Sequence, residues 1–434
     1  MKLKIQKHIS LAFLLFPLFV FAQQDNPSWG KKLVGFKIKP SVGLQLWSSY
    51  TFGEEIYNEN TDRYEAVDDR LNFQIRRTRL GFKGQAYEDL QFNVTASLDV
   101  VGRDVLSGTE GGGNNGGSPK FRIWNAFVQW RLLPGSEKLN LVTGYMPPQI
   151  GRESITSALR STSLEKSWSQ NYLRRHLVGT GPGRAMGVNI GGLFLGKNGK
   201  FNWGYDVGIF NPAFVAYGGN SVGKKYSPLL TGRLAAYIGD PESKKYTTGH
   251  KVNYFGKRKG LTLALAAAAQ GETDLFSVNK AAGFDFLLNL GKLNFDGEWT
   301  YMWREGSRWK IDVLKDFTVA SNVGYLRLGY NFNLKNGYVL EPLAMLVKFN
   351  GETGADDEAD AAAVKSLAGE EQIIDLGFNF YFNPDLKISL HYTLRDGEPG
   401  YAGNGATVNN YFSQSGVGAI HRGDWLGLGL VAVF

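Results

Sequence analysis

The chain closes on a strict alternation. From Trp425 to the terminal Phe434, Leu426, Leu428, Leu430, Ala432 and Phe434 fall on one face of an extended strand, with Gly427, Gly429, Val431 and Val433 on the other. A strand that stops at the carboxyl terminus with one greasy face is how a membrane barrel finishes. Its last strand must pair with its first, because an open backbone edge is not tolerated in lipid. The same pattern would also serve a terminal edge strand of a soluble sandwich, and the rest of the chain decides between the two.

The amino terminus reads as that of a secreted chain. Lys2, Lys4 and Lys7 precede an apolar run of 11 residues, Leu11 to Phe21, and Val20-Phe21-Ala22 supplies the small residues of a cleavage site. Residues 1–22 read as a secretory leader and 23–434 as the mature domain. The apolar run is too short for a membrane helix, which needs about 20 residues. After Ala22 the most apolar window, Leu261 to Ala269, is shorter still. A secreted chain with no such helix is either soluble or a strand barrel. Zero cysteine removes disulfides, thiol catalysis and thiolate metal sites together. The formal charge of +8 falls to +5 without the three leader lysines, too modest and too dispersed for a nucleic-acid binder.

Sixteen segments of period-two hydrophobicity follow, near 33–51, 71–87, 90–102, 120–132, 138–147, 185–196, 200–211, 229–239, 261–271, 280–290, 292–304, 318–334, 338–350, 372–383, 386–396 and 425–434. A tilted membrane strand needs about 9–11 residues, so the lengths fit. Alternation is cleanest late in the chain, where Ile374, Leu376, Phe378, Phe380 and Phe382 oppose Asp375, Gly377, Asn379, Tyr381 and Asn383. The connections alternate as well. Short turns such as Lys335-Asn336-Gly337 and Asn383-Pro384-Asp385 take turns with long polar loops near 52–70, 103–119, 148–184, 212–228, 305–317, 351–371 and 397–424. Short turns at one end and long loops at the other are the outer-membrane pattern, and a sandwich has no reason to sort its loops by parity. Two connections break the rule. The one at 240–260 is long and basic where a short turn is due, and the one near 272–279 is short where a loop is due. Trp124, Trp130, Trp299, Tyr301, Trp303, Trp425 and Phe434 read as interfacial aromatic girdles.

Sixteen strands enclose water rather than a packed interior. The polar faces nominate Arg77, Arg79, Lys83, Arg131, Arg233, Arg327, Lys387 and Arg395 as basic pore lining, against acidic Asp99, Asp206, Asp285, Asp296, Glu298 and Asp375. Near Arg76-Arg77 the apolar parity switches from Leu71, Phe73 and Ile75 to Leu80 and Phe82, which predicts a β-bulge that lets both arginines reach water. The third long loop, 148–184, carries Arg152, Arg160, Lys166, Arg174, Arg175 and Arg184 against Glu153 and Glu165. Folded into the lumen, these cations would form a positive constriction that attracts anions. Left outside, they would be solvated surface charge.

The run Arg76-Arg77-Thr78-Arg79-Leu80-Gly81-Phe82-Lys83-Gly84 resembles the R-R-x-R-L-G-x-x-G of the phosphate-selective porin O and P family. Leu141-Val142-Thr143-Gly144-Tyr145 and the loop words Gly151-Arg152-Glu153-Ser154-Ile155-Thr156-Ser157 and Ser163-Leu164-Glu165-Lys166-Ser167 continue the likeness. The resemblance implies an all-β fold, a 16-stranded antiparallel transmembrane barrel with an inward-folding third loop. It also implies a homotrimer in the outer membrane of a Gram-negative bacterium, in contact with its lipid and passing small anionic or polar solutes, phosphate among them. It makes Arg152, Arg160 and Lys166 the leading constriction residues, with Arg174 and Arg175 beside them, and implies no cofactor. The two loop glutamates and the acidic wall residues depart from a dedicated phosphate site.

Two rival functions remain at this stage. A barrel hydrolase needs a nucleophile beside a histidine. Of His176, His250, His391 and His421, only His391 lies on a strand wall, beside Ser389 and Thr393, and no metal-ligand spacing is present. A barrel scaffold, adhesin or secretion partner would use mobile loops such as Gly111 to Gly117. A lone histidine with hydroxyl neighbours reads more simply as polar lining, and Gly-Asn runs as mobile loop tips.

Overall fold

The computed structural model describes residues 37–109, 120–179, 182–196, 201–211, 223–398, 413–414 and 418–434. The leader expected at 1–22, the Gly-Asn run at 111–117 and most of the last long loop lie outside them.

Sixteen strands pair in chain order: β1 (Lys37–Phe52), β2 (Arg70–Tyr87), β3 (Leu90–Ser97), β4 (Arg122–Arg131), β5 (Asn140–Met146), β6 (Ala185–Phe194), β7 (Phe201–Asn211), β8 (Leu229–Gly239), β9 (Lys259–Gln270), β10 (Val278–Leu290), β11 (Leu293–Lys310), β12 (Val313–Tyr330), β13 (Val339–Asn350), β14 (Glu370–Asn383), β15 (Leu386–Glu398) and β16 (Asp424–Val433). Every neighbouring pair is antiparallel, and β16 returns to β1 from Gly43 opposite Val433 to Phe52 opposite Asp424. The terminal residue seals the seam: the Phe434 amide donates to the Val42 carbonyl at 2.7 Å, and the Val42 amide donates back at 2.9 Å. The barrel is closed, so the backbone leaves no edge to lipid.

Alternation decides which side chains meet lipid. On β8, Leu230, Leu234 and Ile238 are exposed on the outside while Thr231, Arg233, Ala235 and Tyr237 are buried inside. On β16, Leu426 and Leu428 face out and Gly427 and Gly429 face in. A band of exposed leucines, phenylalanines and isoleucines on a polar-lined barrel is the reverse of a water-soluble core.

Three expectations change. Residues 305–317 are not a polar loop: β11 and β12 run past the membrane as a hairpin joined by Ile311-Asp312, both at positive φ. Their alternation is weak because a hairpin standing in water has no apolar face to maintain. Trp124 and Trp425 are not girdle residues. Trp425 is buried against Trp47 and Leu164, and Trp124 sits at a register shift between β3 and β4 that turns it inward. The bulge expected near Arg76 is present, since Gln45 pairs with Arg77 and Leu46 with Ile75, leaving Arg76 as the extra residue. Both arginines, however, meet a loop carboxylate rather than open water.

Candidate functional site

The third loop enters the barrel and is bonded to the wall on several sides. It carries a short helix α1 (Arg152–Ile155) and a longer helix α2 (Ser169–Leu177). Tyr172, Leu173, His176 and Leu177 recur at helical spacing and bury one face of α2. Tyr172 stacks on Phe349 of β13 with ring centres 4.0 Å apart and donates its hydroxyl to Glu371 of β14. Ser169 donates to Glu298 of β11, and the His176 imidazole meets the Lys280 carbonyl of β10 at 2.8 Å. Farther round, Asn379 and Lys387 donate to the Thr162 and Ser161 carbonyls. Leu164 lies where Gly427 and Gly429 leave room, because a β-carbon on either glycine would come within 2.5 Å of it.

Charged pairs do most of the anchoring. The carboxylate of Glu165 accepts from both Arg76 and Arg77 at the bulge. Against the cost of burial, those two guanidiniums hold it at about 2. Glu153 and Asp296 share Arg327, whose Nη2 lies 3.1 and 2.7 Å from them. Arg152 is fully buried between Glu242 at 2.8 Å and Asp285 at 3.0 Å, and Asp285 also bonds Arg233. Each loop carboxylate therefore neutralises wall cations, not its loop neighbours.

The lowered pKa of Glu165 predicts a pH limit. Its folded value lies below the ordinary glutamate value of about 4.3, so its stabilisation is complete above that pH and is lost as pH falls through about 2. The loop is expected to stay seated at pH 4 and to loosen near pH 2. Tryptophan fluorescence, reporting on Trp47, Trp168 and Trp425, follows the change. A transition centred above pH 4 would show that Glu165 is not the anchor.

Below the loop lies a cavity of about 960 Å³. Its walls are the early strands β1–β4, the third loop and the connection between β8 and β9. Among the described residues lining it, nine are lysine or arginine and one, Glu242, is acidic. Arg77 is paired with Glu165, Arg79 with Asp99 at 2.5 Å, and Arg160 with Asp385 at 2.5 Å. Lys83, Lys166, Arg174 and Arg184 have no carboxylate partner among the described residues. The Lys166 ammonium donates to the Thr156 carbonyl at 2.8 Å, and Arg174 reaches the Ser154 carbonyl. Burial, then repulsion from Arg174, pushes Lys166 well below its ordinary value. Burial and Arg77 bring Arg174 to about 10. Burial and Arg174 do the same to Arg184, which falls well below its ordinary value. Arg79 and Arg184 both lie over the Trp124 ring, 3.8 and 3.7 Å from its centre. The stem of Arg174 packs on Gly183, whose positive φ and missing β-carbon leave the space it needs. An anion placed here offsets both the desolvation and the mutual repulsion of these cations.

The sequence-nominated residues divide accordingly. Arg77, Arg79, Lys83, Arg160, Lys166 and Arg174 line one cavity. Arg152, Arg233 and Arg327 sit in buried ion pairs outside the lining, Arg152 directly behind the lining residue Glu242, and Arg395 bonds Glu371. Lys387 is tied to the loop backbone, Arg131 to Asp89 and Glu137 at the short-turn end, and Arg175 is exposed on the far side of α2 from the buried face. The sequence did not nominate Trp124, whose bulge hides its direction, or Lys39, Glu242 and Lys251, which join the lining through long-range folding. His391 bonds Asp375 at 3.0 Å. Among the described residues no group of three His, Asp or Glu is placed to hold a metal ion.

Comparison with known proteins agrees with this architecture. Among curated proteins none matches the chain in sequence. Three solved structures share its fold at low identity. The outer membrane channel DcaP of Acinetobacter baumannii is 10% identical with a TM-score of 0.53, covering 93% of this chain and 99% of its own. The anion-selective porin from Comamonas acidovorans is 10% identical with a TM-score of 0.53, covering 92% and 100%. OmpF of Salmonella typhi, solved in complex with daunomycin, is 12% identical with a TM-score of 0.50, covering 92% and 98%. Family and fold point to a channel rather than an enzyme. The model of the family described as phosphate-selective porin O and P matches residues 56–399, so this chain, a closed sixteen-stranded barrel with its third loop in the lumen, belongs to that family of outer-membrane porins.

Proposed function

We infer that the protein, with residues 1–22 removed as a leader, is a passive, water-filled diffusion pore for small hydrophilic solutes that prefers anions and works as a homotrimer in the Gram-negative outer membrane. The observation that carries the anion preference is the cavity beneath the third loop, with nine basic residues against one acidic. A fixed positive lining inside a low-dielectric wall concentrates anions and repels cations. Outside that cavity, the wall carboxylates Asp285, Asp296 and Glu371 are each bonded to an arginine, which offsets their charge. The family's description adds phosphate to the solutes, and the trimer rests on the family resemblance.

Planar-bilayer recording tests this directly. Purified protein in a potassium chloride gradient is expected to give ohmic steps with a reversal potential on the chloride side. Millimolar phosphate is expected to reduce the chloride current by occupying the same cations. A reversal potential at zero or on the potassium side would overturn the anion preference. An unchanged chloride current would remove phosphate.

A further inference from the structure

Resting on the pore reading above, we propose that the connection between β8 and β9, residues 240–258, is the inner half of the constriction. It rises into the lumen from the short-turn end, lines the anion path opposite the third loop and sets its width.

Hairpin connections at that end need only about 2–5 residues, and this one is far longer. Its length is not spent in solvent. Tyr246 is buried, donating from its hydroxyl to Asp206 of β7, while its amide donates to Glu137. Val252 is 1% exposed, and Asn253 donates to Asn331 and Glu341 across the barrel. Arg258 is buried at the far end, bonding Asn289 at 2.7 Å and Thr262 at 2.8 Å. The segment is thus tied to β7, to β9, to β10 and to β13, as a lumen element must be and a surface flap is not.

It also pairs with the third loop through backbone and charge. The His250 amide donates to the Ile155 carbonyl at 3.2 Å, and the Ser157 amide donates to the His250 carbonyl at 3.1 Å, a parallel bridge. Glu242 accepts from Arg152 of the loop at 2.8 Å and faces the His250 ring at 2.9 Å. Arg152 and His250 hold Glu242 well below the usual carboxylate range although burial opposes them. Glu242 is therefore a positioning residue. It fastens loop to connection, and its charge, the one negative charge among the described lining residues, is already answered. Ser243, Thr247 and Lys251 of the same segment face the cavity, with Lys251 4.5 Å above the Tyr254 ring. The connection narrows the path while keeping its sign positive.

The absence of cysteine from the chain makes the test clean. Thr247 is exposed, and its hydroxyl meets only the nearby Gly249 backbone, so Thr247→Cys leaves the fold undisturbed. Ser243→Cys provides a second reporter on the same segment. Each purified variant is recorded in a bilayer while methanethiosulfonate reagents, one anionic and one cationic, are added from the short-turn side. Labelling is expected to lower single-channel conductance in discrete steps. The anionic reagent should move the reversal potential toward cations and the cationic reagent should not, while the cysteine-free parent is unaffected. Complete labelling by mass at both positions with conductance and reversal potential unchanged would overturn the proposal. If the unlabelled parent carried no current at all, the channel reading itself would fall, an outcome distinct from failure of this inference alone.

Discussion

Replacing Arg174 and Arg184 together by glutamate is expected to reverse the proposed anion preference, moving the reversal potential in a chloride gradient from the anion side to the cation side. Both guanidiniums line the basic cavity and neither is paired with a carboxylate among the described residues. Two unit charges 4 Å apart interact by about 1 kcal/mol in bulk water and by about 4 kcal/mol near a protein surface. Exchanging two positive charges for two negative ones changes four units of charge. Even at the aqueous limit, that is about 4 kcal/mol against an anion at that distance, where about 1.4 kcal/mol is tenfold. The new carboxylates find Arg77 and Arg79 nearby, so the barrel should still fold, as its heat-modifiable mobility will show. A folded double variant with the parent's reversal potential would remove this cavity from the conduction path. Arg152→Glu should behave differently. It places a third carboxylate beside Glu242 and Asp285, so its effect is expected on stability before selectivity.

The largest effect on stability is expected from Arg327→Leu. The Arg327 guanidinium is 1% exposed and bonds Asp296, Glu153, Ser161 and Ser163. Removing it strands two fully buried carboxylates, and breaking a buried ion pair by deleting one partner costs about 3–5 kcal/mol. Glu153 and the two serines belong to the third loop, so the same substitution should release the loop, raising conductance and adding open-channel noise. Urea unfolding in detergent, followed by tryptophan fluorescence, measures the first effect, and bilayer recording the second. Adding Glu153→Gln should recover part of the loss, because one of the stranded charges is then gone. A stability change below about 1 kcal/mol, the scale of an exposed pair, would mean that water already reaches the triad.

How much of this was legible in the sequence follows from the range of the interactions. The period-two pattern is local, so all sixteen barrel strands could be counted from it, along with the closing role of the Leu426–Phe434 face. The Arg76 bulge was legible for the same reason: a single extra residue flips the parity of every apolar residue after it, here from Phe73 and Ile75 to Leu80 and Phe82. Trp124 is itself the extra residue of a second bulge, between the exposed Phe121 and Ile123 on one parity and Val128 on the other, so neither run sets its direction. The hairpin of β11 and β12 looks like a loop in the sequence because both its faces are wet above the membrane and no alternation is required of it.

The functional cations show the same division. That Arg77, Arg79, Lys83, Arg160, Lys166 and Arg174 are basic and belong to the inner wall or the third loop is written in the chain. That Arg79, Arg174 and Arg184 gather at one cavity while Arg152, Arg233 and Arg327 are consumed by carboxylates is not. It depends on partners such as Asp285 and Arg152, 133 residues apart, brought together only when the barrel closes and the loop falls inside. Local alternation determined the barrel, its topology and its orientation toward lipid, because each strand reports its own two faces. The charge that faces the solute was decided by the tertiary structure alone, because an ion's influence is set by the distance to its nearest opposite charge, which sequence separation does not measure.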